Sequence, residues 1–118
     1  MLILLIENDE AEIKKTQEYA AEAFPTADIL PFSDSTRAMN FISSDRFSVD
    51  VCFTRILMPN ISGFKIAKEV KAKNPYAKIV FMEETPDYAG EAWEYGVSDY
   101  IVTPVTREAV RHAKIACQ

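Results

Sequence analysis

Val-Asp-Val-Cys-Phe-Thr-Arg-Ile-Leu-Met-Pro-Asn-Ile-Ser-Gly, residues 49–63, is the stretch of the chain that says most about its fold. Its apolar beginning, Val49–Thr54, predicts a short strand, and a loop follows. The next segment, Phe64–Lys73, predicts a helix that ends at Asn74-Pro75. Its predicted inward face consists of Ile66, Ala67 and Val70, and its solvated outward face of Lys65, Lys68, Lys71 and Lys73.

The same alternation of short apolar runs and amphipathic segments continues on both sides of this unit. The other predicted strands are Leu2–Ile6, Ala27–Leu30, Ile79–Met82 and Tyr100–Val102. The other predicted helices are Asp9–Phe24, Asp87–Tyr95 and Arg107–Ala116, and Gly96 ends the second of these. One more helix is predicted around Ala38, Met39 and Ile42, with Ser33 or Asp34 as its N-cap. This alternation predicts an α/β fold: a doubly wound, five-stranded parallel sheet of the flavodoxin-like type, with strand order 2-1-3-4-5 and helices on both faces.

The composition fits one domain over residues 1–118. With 48% hydrophobic residues, 26% charged residues and only 3 glycines, the chain is neither disordered nor of low complexity. A net charge of -5 argues against nucleic acid as a partner of this domain. No apolar run approaches the ~20 residues that span a bilayer, and the N-terminus lacks the basic segment of a secretory leader. These features predict no membrane contact. Because Cys52 and Cys117 form no disulfide framework, we also expect a cytoplasmic protein.

Charged side chains follow the predicted strands at their carboxyl ends, where sheets of this type bind ligands. They are Glu7 and Asp9 after the first strand, Arg55 after the third, and Glu83 and Glu84 after the fourth. One guanidinium among several carboxylates is a charge-matched cluster, which indicates a salt-bridged plug in place of an active site. The alternative is a divalent metal site built from the same acids, with Arg55 as a second cation beside the metal.

Other kinds of active site have less support. Gly63, Gly90 and Gly96 are isolated from one another, so no glycine-rich loop is available to hold a phosphate group. The single histidine, His112, lies in the last predicted helix, away from every strand end, and is interpreted as a surface residue.

Three segments resemble the receiver domain of bacterial two-component response regulators. They are Leu-Leu-Ile-Glu-Asn-Asp at 4–9, the stretch at 49–63, and Tyr-Gly-Val-Ser-Asp-Tyr-Ile-Val-Thr-Pro-Val at 95–105. The most specific parts are Met58-Pro59 followed by Gly63, and Gly96 with Asp99-Tyr100 leading to Pro104. The resemblance runs from the first strand to the last helix and implies the fold that the pattern also predicts.

The phosphorylation pocket of that family is altered in this chain. The resemblance implies an acidic pair that binds Mg²⁺, an Asp that accepts phosphate, and a Thr or Ser and a Lys that bind the phosphoryl oxygens. The residues at these positions are, in the same order, Glu7 with Asn8, Arg55, Glu83 and Thr103. Arg55 cannot form an acyl phosphate, Asn8 lacks the negative charge that Mg²⁺ prefers, and Glu83 would repel a phosphoryl group.

The chain is therefore predicted to be a pseudo-receiver, a degenerate receiver domain without the phosphoacceptor Asp, that acts through protein contacts. We expect no enzyme activity, no cofactor and no bound metal. Asp50 precedes the third strand, so it is predicted at the opposite edge of the sheet and offers no replacement acceptor. Two alternatives stay open: a receiver that still binds metal or phosphoryl groups through altered acids, and a flavodoxin-like binder of a small ligand, for which FMN fits poorly.

The resemblance also implies an output face formed by the fourth helix, the fifth strand and the fifth helix. Tyr100 stands at the aromatic switch position, where a hydrogen bond to Glu83 would fix its rotamer; the alternative is an ordinary half-buried strand residue. The fourth helix is rich in aromatic residues: Tyr88, Trp93 and Tyr95. Trp93 can pack inward but all three cannot, so we expect a homodimer or partner surface there. Residues 88–105 are similar to receivers that precede a DNA-binding domain, so this chain is a candidate N-terminal part of a transcription regulator.

Overall fold

The structure is a computed structural model that describes every residue from Met1 to Gln118. Its strands are β1 (Leu2–Ile6), β2 (Asp28–Phe32), β3 (Val51–Arg55), β4 (Lys78–Glu83) and β5 (Asp99–Val102). Its helices are α1 (Glu10–Ala23), α2 (Ser35–Ser43), α3 (Gly63–Lys73), α4 (Ala89–Trp93) and α5 (Arg107–Ala116). The strands form one parallel sheet in the order β2-β1-β3-β4-β5, which confirms the predicted fold.

Both faces of the sheet are covered by helices, and successive strand residues enter different cores. In β1, Leu4 and Ile6 belong to the core beneath α2, α3 and α4. Ile3 and Leu5 belong to the core beneath α1 and α5. All four side chains are fully buried. A strand covered on both faces needs apolar residues at every position, which explains the continuous apolar run at the start of the chain.

Side-chain caps determine where the longer helices begin. At each N-cap a hydroxyl or carboxylate oxygen accepts a hydrogen bond from a backbone N–H of the first turn. These caps are Asp9 for α1, Asp34 for α2, Ser62 for α3 and Thr106 for α5. Of the two candidates for α2, the cap is therefore Asp34.

The fourth helix is shorter than the predicted Asp87–Tyr95. A 3-10 turn over Pro86–Tyr88 comes first, and the α-helix covers only Ala89–Trp93. Gly90 within it has a low helix propensity, and Gly96, at φ 64°, takes the left-handed conformation that ends the segment. The predicted helix is therefore replaced by two short pieces of different pitch.

β2 lies at the edge of the sheet and continues past its predicted end at Leu30 to Phe32. Pro31 has no N–H to donate, which an edge strand tolerates. No helix in the protein combines the length and the apolar character that crossing a membrane requires.

Gly63 brings the start of α3 against the end of β3. Its N–H donates a 2.8 Å hydrogen bond to the carbonyl oxygen of Ile56, and a Cβ built on Gly63 would collide with the carbonyl oxygen of Arg55. Only glycine allows these two backbone segments to approach so closely. The contact fixes the direction in which β3 ends, and with it the starting point of the Arg55 side chain.

Candidate functional site

The strand register brings three charged residues to one edge of the sheet. Ile6 of β1 pairs with Thr54 of β3, and Arg55 of β3 pairs with Met82 of β4. The next residues along β1 and β4 are Glu7 and Glu83. Arg55, on the central strand, therefore emerges between two carboxylates, as the order of the parallel strands predicts.

The guanidinium of Arg55 contacts three carboxylates, one through each nitrogen. Nη1 lies 3.3 Å from Glu7 Oε1, Nε lies 3.5 Å from Glu83 Oε1, and Nη2 lies 3.2 Å from Glu84 Oε1. The Nη1 and Nη2 contacts are hydrogen bonds, whereas Nε is buried and has no hydrogen-bond partner. We call Glu7, Arg55, Glu83 and Glu84 the Arg55 cluster.

Backbone donors hold the two buried carboxylates of the Arg55 cluster in place. Glu7 Oε1 accepts a 3.0 Å hydrogen bond from the N–H of Asp9. Glu83 accepts from two N–H groups: Leu57 donates to Oε1 at 2.9 Å and Glu84 donates to Oε2 at 2.8 Å. Hydrogen bonds from backbone N–H groups to charged carboxylates are among the stronger hydrogen bonds in proteins. Glu83 therefore joins the loop after β3 to the end of β4.

Burial and the neighbouring charges act in opposite directions on the groups of this cluster. Only 1% of the Glu7 side chain and 2% of the Glu83 side chain are exposed, compared with 17% for Arg55 and 72% for Glu84. Desolvation raises the pKa of Glu7, and the Asp9 hydrogen bond and the Arg55 charge offset only part of that effect. Burial alone would lower the pKa of Arg55, but the carboxylates outweigh it, so the pKa is raised and the guanidinium stays charged.

The chemistry open to the Arg55 cluster follows from these contacts. The guanidinium occupies the space between the carboxylates, so each of them already faces a cation. No group of three or more His, Cys, Asp or Glu side chains in the protein is arranged to hold a metal ion. A charged guanidinium is not a nucleophile, so residue 55 does not accept an acyl or phosphoryl group.

Two of the predicted pocket residues lie outside the Arg55 cluster. Asn8 is exposed and lines a polar cleft of about 170 Å³ with Ser33, Pro59 and Asn60 among others. Thr103 follows β5, which β4 separates from Arg55; its N–H donates to the Glu83 carbonyl oxygen at 2.8 Å, and its hydroxyl makes no hydrogen bond. Conversely, Glu84 belongs to the cluster, as its place among the charged residues after the strands predicted, although the family resemblance gives it no position in the pocket.

The expected hydrogen bond between Tyr100 and Glu83 is not formed. The Tyr100 hydroxyl donates instead to the carbonyl oxygen of Thr85, at 2.6 Å. The oxygens of Glu83 are engaged by Arg55 and by backbone N–H groups instead. Burial raises the pKa of the Tyr100 hydroxyl, which therefore stays a donor at neutral pH.

The aromatic residues around α4 divide between core and surface. Tyr95 stacks on Phe64, with ring centroids 4.8 Å apart, and Tyr88 packs against the same core. Trp93 is 65% exposed, so the expectation that it could pack inward is wrong. Tyr88, Ala92 and Tyr95 share the i, i+4, i+7 spacing of one inward face. Trp93 follows Ala92 by one residue, about 100° further round the axis, so its ring faces outward as the one exposed aromatic side chain here.

Three other residues singled out in the sequence lie away from the cluster. His112 is exposed and lies 2.8 Å from a carboxylate oxygen of Asp99, measured from Nδ1. Asp50 accepts a hydrogen bond from the N–H of Leu2, at the start of β1 and thus at the opposite edge of the sheet. Cys52 is fully buried, and burial raises the pKa of its thiol to about 12, so it is an inert core residue.

The chain is similar to known proteins over nearly all of its length. The family model of the response regulator receiver domain matches residues 3–114. Among curated proteins, the transcriptional regulatory protein RprY of Bacteroides fragilis is 29% identical over 90% of this chain, and the sensory transduction protein LytT of Bacillus cereus is 31% identical over 93%. The chain spans 44% of the length of each of these two relatives.

Solved structures show the same fold. The response regulatory domain of mrkE from Klebsiella pneumoniae superposes with a TM-score of 0.85 at 21% identity, covering 98% of this chain and 93% of that one. A response regulator receiver domain from Clostridium thermocellum gives a TM-score of 0.82 at 24% identity, covering 98% and 92%.

Proposed function

The chain belongs to the response regulator receiver domain family, and from this premise we propose that it is a regulatory module whose output does not depend on phosphorylation. The observation that supports this proposal is the position of Arg55 at the end of β3, between the buried carboxylates of Glu7 and Glu83. By the resemblance described above, this is the place of the phosphoacceptor Asp. We propose that the chain is in this sense a pseudo-receiver and has no enzyme activity.

Electrostatics supports the loss of phosphate chemistry. Mg²⁺ binds through oxygen ligands with negative charge, but the oxygens of Glu7 and Glu83 already face a guanidinium. Thr103 supplies no cation to pair with a phosphoryl group, and Glu83 would repel one. A permanent cation at residue 55 would thus supply at all times the positive charge that Mg²⁺ and a lysine supply in the family. It would hold the pocket in one state.

Protein contacts are the proposed output, made through the face formed by α4, β5 and α5. Large apolar side chains on these elements are exposed: Trp93 at 65%, Val102 at 47% and Ile115 at 68%. Such side chains are common at protein interfaces. The occupant of this face is another protein or a second copy of the chain, and Tyr100, Tyr88 and Tyr95 support the face from within.

The length of the relatives suggests the wider setting. Because RprY and LytT are more than twice as long as the part that this chain matches, we propose that it is the receiver part of a longer cytoplasmic regulator. RprY is named as a transcriptional regulatory protein, which makes control of transcription the proposed role of the whole.

An amide NMR titration tests the central proposal. Mg²⁺ is added first and then beryllofluoride, a mimic of the phosphoryl group. We expect no saturable shift of the amide signals of Glu7, Arg55, Glu83 and Thr103. Saturable shifts at these residues would show that the pocket still binds metal or phosphoryl groups through its altered acids, and the pseudo-receiver proposal would be wrong.

A further inference from the structure

One helix of this acidic protein carries a clear excess of positive charge. α3 carries Lys65, Lys68, Lys71 and Lys73 and only one acid, Glu69, although the net charge of the chain is -5. Lys73 pairs with Asp45 at 2.9 Å, whereas Lys65 and Lys68 form no ion pair. Both are exposed, and Glu69 is the one acidic side chain that lines the same surface.

These two lysines border a groove between α2 and α3 with an apolar floor. The groove has a volume of about 430 Å³, within the ~300–1,000 Å³ range of ligand clefts. Its lining consists of Met39, Ile61, Lys65, Lys68, Glu69 and Ala72. We call it the basic groove. Two lysines and one glutamate give this lining a net charge of +1, and three apolar side chains complete it. Such a surface suits an acidic segment that carries an apolar side chain.

The opposite combination occurs in the same protein, around α4. Every charged residue from Ile79 to Thr106 is acidic. Within this stretch, residues 84–94 carry four exposed acids and one exposed aromatic residue: Glu84, Asp87, Glu91, Glu94 and Trp93. We call residues 84–94 the acidic segment. Trp93 is 65% exposed, and tryptophan is the side chain most often found at the energetic centre of an interface.

We propose that the acidic segment of one copy docks into the basic groove of a second copy, with Trp93 on the apolar floor and Lys65 and Lys68 facing the acids. The proposal rests on the proposed use of the α4 face for protein contacts, but not on the loss of phosphorylation. The two surfaces lie on different elements, so the contact is head-to-tail. Each copy keeps one free groove and one free segment, and the association therefore continues beyond a dimer unless a ring closes.

A second copy fits these observations better than a nucleic acid does. Nucleic acid binding needs a wide basic surface, whereas here the two free lysines stand beside methionine, isoleucine and alanine side chains. The net charge of -5 also repels a polyanion at longer range. The acidic segment supplies carboxylates that can face the two lysines and an exposed tryptophan that can contact the apolar side chains of the groove.

Sedimentation velocity over a range of concentrations tests the contact. As the protein concentration increases, the average mass of the sedimenting species is expected to rise beyond that of a dimer. The rise should be smaller at high salt, because salt screens the exposed charges. Trp93→Ala and the double variant Lys65→Glu/Lys68→Glu are each expected to weaken association at least about tenfold. Lys14→Glu/Lys15→Glu makes the same charge change on α1 and is expected to leave association unchanged. All these substitutions lie outside the buried core, and thermal unfolding confirms that each variant is folded.

Mixing the two deficient variants is the decisive step. Trp93→Ala keeps an intact groove, and Lys65→Glu/Lys68→Glu keeps an intact segment, so the mixture is expected to form one-to-one pairs and stop there. A wild type that stays monomeric would overturn the proposal. So would a dimer that Lys65→Glu/Lys68→Glu leaves intact, because that result indicates a closed, symmetric contact through α4, β5 and α5. Duplex DNA bound through these lysines, without self-association, would also overturn it.

Discussion

Arg55 Nη1 lies 3.3 Å from Glu7 Oε1, at a place where only 1% of the Glu7 side chain reaches solvent. Glu83, a second buried carboxylate, lies on another side of the same guanidinium, 3.5 Å from Nε. The two acids therefore depend on one cation for their charge balance. Removing that cation alone leaves two buried negative charges side by side, which is far more costly than removing an ion pair as a whole.

The first prediction is that Arg55→Met destabilises the fold. Methionine fills a similar volume but cannot neutralise Glu7 and Glu83, so the free energy of unfolding should fall by about 3 kcal/mol. Urea unfolding measures the change. Arg107→Met is the matched control, because Arg107 pairs with Glu22 at the surface, where each side chain is 44% exposed, and its loss should matter little. If the two variants are equally stable, the Arg55 cluster does not hold this edge of the sheet together.

The second prediction concerns pH and follows from the raised pKa of Glu7. A carboxyl whose pKa is higher in the folded than in the unfolded state binds more protons when folded, so its contribution to stability is lost as pH rises. The loss begins near its ordinary value of 4.5 and ends at the raised pKa. The stability of the wild type relative to Glu7→Gln should therefore fall over this window. In Arg55→Met the fall should be steeper, because the guanidinium that favours the charged form of Glu7 is gone. A stability difference that stays flat or rises with pH would contradict the raised pKa of Glu7.

The third prediction contrasts two glycines. Gly63→Ala should destabilise the protein by more than 1 kcal/mol, because the new Cβ collides with the backbone of Arg55 and Ile56. Gly90→Ala should stabilise it by about 0.5–1 kcal/mol, because nothing lies near the new methyl group and alanine favours the helix. Thermal unfolding of the pair distinguishes a steric requirement from simple helix propensity. Equal effects of the same sign would show that β3 and α3 do not meet as closely as described.

The fourth prediction is that Tyr100→Phe lowers the free energy of unfolding by about 1 kcal/mol, the typical worth of one hydrogen bond. The hydroxyl lost in this variant donates to the Thr85 carbonyl oxygen at 2.6 Å. Tyr76→Phe is the control, because Tyr76 is 87% exposed and its hydroxyl has no partner in the protein. Without any ligand, the amide signals of Thr85–Tyr88 should also differ between Tyr100→Phe and the wild type, because this hydroxyl orders the turn before α4.

Strand positions and strand order were predictable because they depend on patterns that the sequence shows directly. The apolar run Leu2–Ile6 has no polar position, which only a strand buried on both faces requires. Once the strand order is known, residues at the ends of β1, β3 and β4 must be neighbours. Glu7, Arg55 and Glu83 could therefore be assigned to one cluster from the sequence.

Side-chain directions beyond the strand ends were not predictable in the same way. The donors to Glu83 are the backbone N–H groups of Leu57 and Glu84, and their positions depend on loop conformation. Trp93 faces outward because Ala92, its neighbour in α4, takes the inward position of that short helix, and the sequence alone does not show which of the two is inward. Thr103 stays out of the cluster because β4 lies between β5 and β3 and the threonine side chain is too short to reach across it.

The last prediction is that the phosphorylation pocket can be restored. The variant combines Arg55→Asp, Glu83→Thr, Thr103→Lys and Asn8→Asp, which reinstates the residues that the family resemblance implies at these positions. The first three changes alter the charge by -2, +1 and +1, so they leave the net charge of -5 unchanged. Aspartate at position 55, with Glu7 and the new Asp at position 8, then offers Mg²⁺ the carboxylate oxygens that it prefers.

We expect this variant to show saturable amide shifts with Mg²⁺ and beryllofluoride, and to be stabilised against urea by Mg²⁺ because only the folded state forms the site. Arg55→Asp alone is the control: it places a third carboxylate beside Glu7 and Glu83, so it should be less stable and should bind no beryllofluoride, since Glu83 still repels the anion. If the folded quadruple variant binds neither ligand, the four natural residues are not what blocks phosphorylation. The cause would then lie in the backbone, and the loop that Gly63 holds against Arg55 is the first place to look.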